Sequence, residues 1–123
     1  MDGDSSQEQR EFGRLHAELI LTNPDMLHHT LLRAHSRWRR VFANLQFCVL
    51  DEAHTYHGPF GAHVALVMRR LVRVCQYYGN TRLRFFCCSA TLPDPRDFFN
   101  LLLPRSVGAG HTWLMCPQCL QRP

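Results

Sequence analysis

Two short apolar runs on either side of a long amphipathic segment constrain the fold of this chain more than any other feature. Gln46–Leu50 and Leu83–Cys88 are predominantly apolar and of strand length, which is typical of strands buried on both faces. Between them, Phe60–Tyr78 carries apolar residues at helical spacing, and Gly79 follows as a stop signal. A strand, a helix and a second strand in this order predict a βαβ unit with a parallel sheet.

The other segments continue this alternation up to Pro104, where the periodicity ends. Residues 1–103 are therefore predicted to form one α/β domain, and residues 104–123 an irregular tail. The remaining predicted elements are a helix from Ser5 to about Arg14, a strand at Glu18–Thr22, a helix from Asn23-Pro24 to about His35, and a helix from Asp94-Pro95 to Leu103.

Composition excludes several classes of protein. The 14 basic residues are all arginine, which excludes lysine Schiff-base chemistry and a GxxxxGK[ST] phosphate loop within these 123 residues. The polar, acidic N-terminus is not a signal peptide, and no apolar run approaches the ~20 residues of a membrane span. We therefore expect an intracellular protein without a membrane partner. A net charge of +4 favours polyanionic partners only mildly.

Two adjacent carboxylates directly follow the first apolar run. Asp51 and Glu52 stand in the sequence FCVLDEAH, at residues 47–54. Ligands of parallel α/β sheets bind beyond the carboxyl ends of the strands. An acidic pair at this position is typical of the Walker B arrangement, in which the first acid holds Mg²⁺ and the second polarises the attacking water. The alternative is that both acids only cap the next helix.

Two further segments lie at strand ends or helix starts. Ser89-Ala90-Thr91 follows the next predicted strand, where its hydroxyls can bond a neighbouring acid or phosphate, or can simply cap a turn. Thr22-Asn23-Pro24 begins a predicted helix whose free N–H groups suit a backbone phosphate. Taken alone, these three residues favour an ordinary helix cap over a phosphate site.

Together and in this order, these segments resemble the first RecA-like domain of superfamily 2 DEAD/DEAH-box helicases. Within that superfamily they are most similar to a RecQ-related branch of 3′–5′ DNA helicases of fungi and bacteria. The resemblance covers about residues 2–100. It rests on Asp2-Gly3-Asp4, LTNPDMLH (Leu21–His28), DEAHTY (Asp51–Tyr56), GxFGxHVA (Gly58–Ala65), RRL (Arg69–Leu71) and CSAT (Cys88–Thr91).

The resemblance implies a partial RecA-like P-loop NTPase domain, with a parallel sheet, helices on both faces and the P-loop strand missing. It implies ATP and Mg²⁺ as cofactors of the intact enzyme. Asp51 would coordinate Mg²⁺ and Glu52 would activate the hydrolytic water, both in contact with the nucleotide. His54 would link this site to a second RecA-like domain.

The resemblance also implies DNA as the partner, and a nuclear location if the organism is eukaryotic. Ser89 and Thr91 would couple ATP hydrolysis to strand separation. Thr22 and Asn23 would lie on the path of the single-stranded tracking strand.

Three departures from the family pattern indicate a fragment of an ATP-dependent DNA helicase. The phosphate loop is expected upstream of residue 1, no second RecA-like domain follows, and the tail does not match. The chain alone is therefore expected not to hydrolyse ATP, and a non-catalytic remnant that binds nucleic acid or a protein partner is the alternative. Leu83–Cys88 would also be left as an exposed apolar edge, prone to self-association.

Two other groups of residues leave alternatives open. Cys116 and Cys119 form half of a zinc site, with His111 as a third candidate ligand; a loose tail, or a half-site completed by sequence elsewhere, explains them too. A basic cluster with one tryptophan could grip phosphate and stack a base, or could be a solvated patch whose tryptophan packs on the core. Its members are Arg37, Trp38, Arg39 and Arg40.

Overall fold

The computed structural model describes residues 11–12, 15–89, 92, 94–104 and 112–115, the last four by their backbone. Its elements alternate between helix and strand. In chain order they are α1 (Pro24–Met26) running on into a π-helical turn (Leu27–Leu31), a 3₁₀ turn (His35–Trp38) leading into α2 (Arg39–Asn44), β1 (Phe47–Leu50), a 3₁₀ turn (Ala53–Thr55), α3 (Gly58–Tyr77), β2 (Arg84–Cys88), α4 (Pro95–Leu102) and β3 (Thr112–Met115).

The three strands form one parallel sheet in the order β1-β2-β3. In the register of β1 and β2, Leu50 pairs with Cys87. The residues that follow the two strands therefore emerge at the same edge of the sheet. The prediction of a βαβ unit with a parallel sheet is confirmed, since α3 connects β1 to β2.

One face of this sheet shares a core with α3. Leu50, Phe85 and Cys87 are buried together with the apolar face of the helix, and Phe47 and Val49 on the other face are exposed. The core side of α3 holds Val64, Ala65, Val67, Met68, Leu71, Val72 and Cys75.

The turn between α3 and β2 depends on one buried amide. α3 ends at Tyr77, and Gly79, two residues later, has a φ of 78° that suits a residue without a Cβ. The side-chain nitrogen of Asn80 then donates to the carbonyls of Phe42 and Leu45, at 2.9 and 2.8 Å, and its oxygen accepts from the backbone N–H of Arg82. Asn80 is 4% exposed, and this one buried side chain satisfies three backbone groups.

Three sequence predictions differ from the structure. Glu18–Thr22 is not a strand in the described part of the chain: Leu19 and Leu21 are exposed, and no neighbouring strand pairs with the segment. The prediction of an irregular tail is wrong at Thr112–Met115, which form β3.

The third prediction that differs is that of an exposed apolar edge at Leu83–Cys88. β3 pairs with β2, so this segment is not an edge, and β2 is the central strand of the described sheet. Most of the helix predicted from Ser5 to Arg14 lies outside the described residues, apart from residues 11 and 12, which are helical.

Candidate functional site

The two carboxylates lie directly beyond the carboxyl end of β1. Asp51 follows the last residue of the strand, and its Oδ1 accepts a hydrogen bond of 2.9 Å from the backbone N–H of Glu52. Glu52 has a left-handed backbone, with φ of 49° and ψ of 40°, which is uncommon for a residue with a side chain. Strained backbone of this kind occurs often at functional sites. Both side chains are exposed and open to a ligand.

The turn that follows Glu52 is held by several local contacts. Thr55 Oγ1 donates to the carbonyl of Glu52 at 2.8 Å, and Ala53 is fully buried in the core. Tyr56 packs against Phe60 with ring centroids 5.7 Å apart. Burial raises the pKa of the Tyr56 phenol, and the charge of Asp51 raises it further.

His54 connects this turn to the end of β2. Its Nδ1 atom lies 3.3 Å from Oε2 of Glu52 and 3.4 Å from Oγ of Ser89. Glu52 is largely exposed whereas Ser89 is buried, so His54 bridges the surface carboxylate and the interior strand end. The structure therefore brings Asp51, Glu52, His54 and Ser89 together at one edge of the sheet.

The other predicted site residues are placed differently. Thr22 and Asn23 lie at the start of α1, where Asn23 Oδ1 caps the helix by accepting from the N–H of Met26 at 2.7 Å. Thr91 lies outside the described residues, as do Cys116 and Cys119. Within the described ranges, no group of three or more His, Cys, Asp or Glu side chains could hold a metal ion.

The structure decides the role of the tryptophan in the basic cluster. Trp38 is 3% exposed and belongs to the core, so the prediction that it could stack a base is wrong, and the core alternative is confirmed. Trp38 lies at the junction of the 3₁₀ turn and α2. Arg37, Arg39 and Arg40 are exposed, as expected for a solvated patch.

Two residues near the site were not singled out by sequence reasoning. We call residues 51–56, which follow β1, the DEAH turn. A Cβ on Gly61 would lie 2.3 Å from the carbonyl oxygen of Tyr56, so only glycine fits where the DEAH turn meets the first turn of α3. Nε2 of His63 lies 3.4 Å from Oδ1 of Asp25 and so connects α3 to the start of α1. The Gly58–Ala65 pattern contained both residues, but nothing in it indicated these contacts.

No helix in the described part of the chain is both long and apolar enough to cross a membrane. The fold and the site together are those of a parallel α/β domain whose acidic residues lie at the carboxyl end of a strand, where such sheets bind their ligands. Residues 1–98 match the family model described as DEAD/DEAH box helicase.

Proteins similar to this chain include two yeast helicases and one solved structure. ATP-dependent helicase hrq1 of Schizosaccharomyces pombe is 53% identical over 76% of this chain and 9% of its own length. ATP-dependent helicase HRQ1 of Saccharomyces cerevisiae is 48% identical over 81% of this chain and 10% of its own length.

This chain is also similar to the crystal structure of the DUF1998 helicase MrfA bound to DNA and AMPPNP, with 40% sequence identity and a TM-score of 0.80. The match covers 94% of this chain and 15% of the MrfA chain. The chain belongs to the DEAD/DEAH box helicase family. Its fold matches part of a helicase RecA-like domain, and it spans about one tenth of the length of the curated relatives above.

Proposed function

We propose that this chain is the part of a DNA helicase motor that carries the magnesium- and water-positioning carboxylates and the residues that couple hydrolysis to strand separation. The observation that supports this most is the meeting of Asp51, Glu52, His54 and Ser89 at the carboxyl ends of β1 and β2. A capping role alone would not require a histidine to contact both a carboxylate on one strand end and a hydroxyl on the next.

The donor set fits a magnesium site completed by a nucleotide. Mg²⁺ is commonly bound by one or two carboxylates together with water and substrate phosphates. The exposed carboxylates at the end of β1 can supply the protein ligands of such a site. Asp51 would hold the ion, which neutralises developing charge on the phosphates when it is bound. Its acceptance of the Glu52 N–H holds the Asp51 carboxylate beside the turn.

Glu52 is the residue that would orient the attacking water and accept its proton. The left-handed backbone directs the chain sharply away from β1, and the Thr55 hydroxyl holds the Glu52 carbonyl in place. A preorganised carboxylate of this kind contributes through position, because phosphoryl transfer depends mainly on geometry and electrostatics. His54 would transmit the state of this site to a second RecA-like domain.

The nucleic-acid partner is proposed to be the single-stranded tracking strand of DNA, with Thr22 and Asn23 on its path and Thr91 acting with Ser89 in coupling. ATP hydrolysis would require the phosphate loop and the second domain, and these 123 residues contain no lysine to reach the phosphates. The chain alone is therefore expected to be inactive toward ATP. In a eukaryotic cell a DNA partner would place the protein in the nucleus.

The test uses the full-length protein that contains this segment. Glu52→Gln keeps the size of the side chain but removes the base, so ATP turnover should fall by about 10²-fold or more while ATP binding is retained. Glu18→Gln, which changes an exposed carboxylate outside the site, is the matched control and should turn over ATP normally. Normal turnover by Glu52→Gln would contradict the proposal and would favour the non-catalytic alternative.

A further inference from the structure

Polar side chains at seven-residue intervals on α3 line its contact with residues 27–38, the π-helical and 3₁₀ turns that follow α1. His63, Arg70 and Tyr77 share one face of α3, since seven residues make two turns of an α-helix. Each lies against a histidine of those turns: His63 and Arg70 against His28, and Tyr77 against His35. We call these five residues, His28, His35, His63, Arg70 and Tyr77, the α1–α3 seam.

The upper part of the seam is held in place by an arginine. Arg70 donates to Nδ1 of His28 at 3.3 Å and to the carbonyl of Leu32 at 3.3 Å. Because arginine has no acceptor, His28 must present a lone pair at Nδ1 and is neutral in this arrangement. Burial lowers the pKa of His28, and the nearby His29, Arg70 and His63 lower it further.

The lower end of the seam is aromatic and basic. Nδ1 of His35 lies 2.7 Å from the Tyr78 hydroxyl, and the Arg39 guanidinium lies over the Tyr78 ring at 5.9 Å. Tyr77 packs against Tyr78 with ring centroids 5.0 Å apart, yet its own side chain is 76% exposed. A tyrosine ring held by a neighbour and open to solvent is a stacking platform for a nucleobase.

The stretches of sequence that form the seam contain many arginines and few acidic residues. No Asp or Glu lies between residues 26 and 50 or between residues 53 and 93, although both stretches are rich in arginine. Among the described residues, neither Arg37 nor Arg73 makes an ion pair. Asp25 is the carboxylate that contacts the seam, and it lies against His63 at its upper end. This imbalance of charge favours a polyanion as the partner.

We propose that the α1–α3 seam is a binding surface for single-stranded DNA, with Tyr77 as a base-stacking residue at its far end. The seam begins at His63, which contacts Asp25 two residues after Asn23, and extends ~21 Å along α3, from the 14 rises of 1.5 Å between His63 and Tyr77. It would thus prolong the DNA path that the proposed function begins at Thr22 and Asn23, and it rests on that function for the identity of its partner. An acidic protein partner would account for the arginines but not for the exposed ring of Tyr77, which suits a nucleobase.

The test measures binding of a fluorescein-labelled oligothymidine of about 16 nucleotides to the full chain by fluorescence anisotropy. Tyr77→Ala should weaken binding about tenfold, whereas Tyr77→Phe, which keeps the ring, should bind as the unaltered chain does. Arg73 is exposed one turn before Tyr77 and should contribute to DNA binding by contacting a backbone phosphate. Arg73→Gln should therefore weaken binding and reduce the salt slope by about 0.7 between about 50 and 200 mM salt.

Arg96→Gln is the matched control, since it removes an exposed arginine on α4 that lies outside the seam, and it should change affinity less than about twofold. Circular dichroism checks that every variant remains folded. Unchanged binding by both Tyr77→Ala and Arg73→Gln would overturn the seam proposal, and so would an absence of binding by the unaltered chain.

Polyglutamate is added as a competitor of the labelled oligothymidine. If it displaces the oligothymidine as well as unlabelled oligothymidine does, and does so equally from the unaltered chain and from Tyr77→Ala, the seam proposal is overturned in favour of an acidic protein partner. None of these outcomes bears on the role of Glu52, which is tested by ATP turnover in the full-length protein. Failure of the seam and failure of the proposed function are therefore distinguishable.

Discussion

Nδ1 of His54 lies 3.4 Å from Oγ of Ser89, and this contact between residues 35 apart in sequence joins the turn after β1 to the end of β2. The same nitrogen lies 3.3 Å from a carboxylate oxygen of Glu52. A change in the charge or position of Glu52 therefore acts on His54 and, through it, on the end of β2. This is the physical connection that a coupling role for Ser89 would require.

Removing either partner of this contact should disturb the same process. In the full-length protein, the effects of His54→Ala and Ser89→Ala on DNA unwinding should be non-additive by about 0.5–3 kcal/mol, because both side chains belong to one hydrogen-bonded group. A double-mutant cycle on unwinding rates measures this coupling energy. Thr81→Ala, at an exposed position, is the control partner and should add independently to His54→Ala. Additive effects of His54→Ala and Ser89→Ala would refute the connection.

Gly61→Ala should destabilise the chain although alanine favours helices. The new methyl group would meet the Tyr56 carbonyl oxygen at 2.3 Å, so either the DEAH turn or α3 must shift. We expect a loss of about 2 kcal/mol in the free energy of unfolding, as is usual for overpacking. Urea denaturation measures the loss. At an unobstructed helix position the same substitution would gain about 1 kcal/mol, and such a gain here would contradict the packing described.

Asn80→Ala should destabilise the chain strongly, because the Asn80 side chain bonds three backbone groups. It would leave the carbonyls of Phe42 and Leu45 and the N–H of Arg82 without their partner, at a cost of about 2–3 kcal/mol. Thermal or urea unfolding gives the difference from the unaltered chain. Asn44→Ala is the matched control, because Asn44 is exposed and, within the described residues, its side chain bonds one group, the carbonyl of Arg40. Its effect should stay within about 0.5 kcal/mol. Equal effects of the two substitutions would be inconsistent with a structural role for Asn80.

His28 should titrate below its ordinary pKa of 6.5. Burial and the neighbouring His29, Arg70 and His63 disfavour its charged form, so the folded chain binds this proton more weakly than the unfolded chain. The contribution of His28 to stability is therefore present above pH 6.5 and is lost as the pH falls through the lower pKa of the folded state.

An NMR titration of the His28 ring protons measures this directly. Arg70→Gln should move the midpoint back toward 6.5, because it removes one positive neighbour. Arg69→Gln is the control on the adjacent position and should leave the midpoint where it is. A midpoint at or above 6.5 in the unaltered chain would be incompatible with the seam geometry.

The local pattern of apolar and polar residues predicted β1 and α3, the two elements on either side of Asp51 and Glu52. The apolar run before Asp51 and the helical spacing after Phe60 located β1 and α3, because both signals come from residues close in sequence. The prediction of a strand at Glu18–Thr22 failed because a strand requires a partner, which no local pattern supplies. β3 was missed for the converse reason: its pairing with β2 is set by residues distant in sequence.

Side-chain relationships in the site were less predictable. Adjacent carboxylates at a strand end indicated metal chemistry, but nothing in the sequence indicated the left-handed backbone of Glu52. The close approach of Gly61 to Tyr56 and the α1–α3 seam depend on how two helices and a turn pack together. Trp38 illustrates the same point, because its basic neighbours suggested a nucleic-acid contact and its burial excludes base stacking.

The central claim is that Asp51 and Glu52 have separate roles in one reaction. The most direct measurement is steady-state ATP turnover by the full-length protein as the Mg²⁺ concentration is varied, for Asp51→Asn and Glu52→Gln beside the unaltered protein. Asp51→Asn should raise the Mg²⁺ concentration needed for half-maximal turnover by about tenfold or more, because it removes a charged ligand. Glu52→Gln should lower kcat without changing that concentration. Identical Mg²⁺ dependence in all three proteins, with kcat unchanged, would contradict the account.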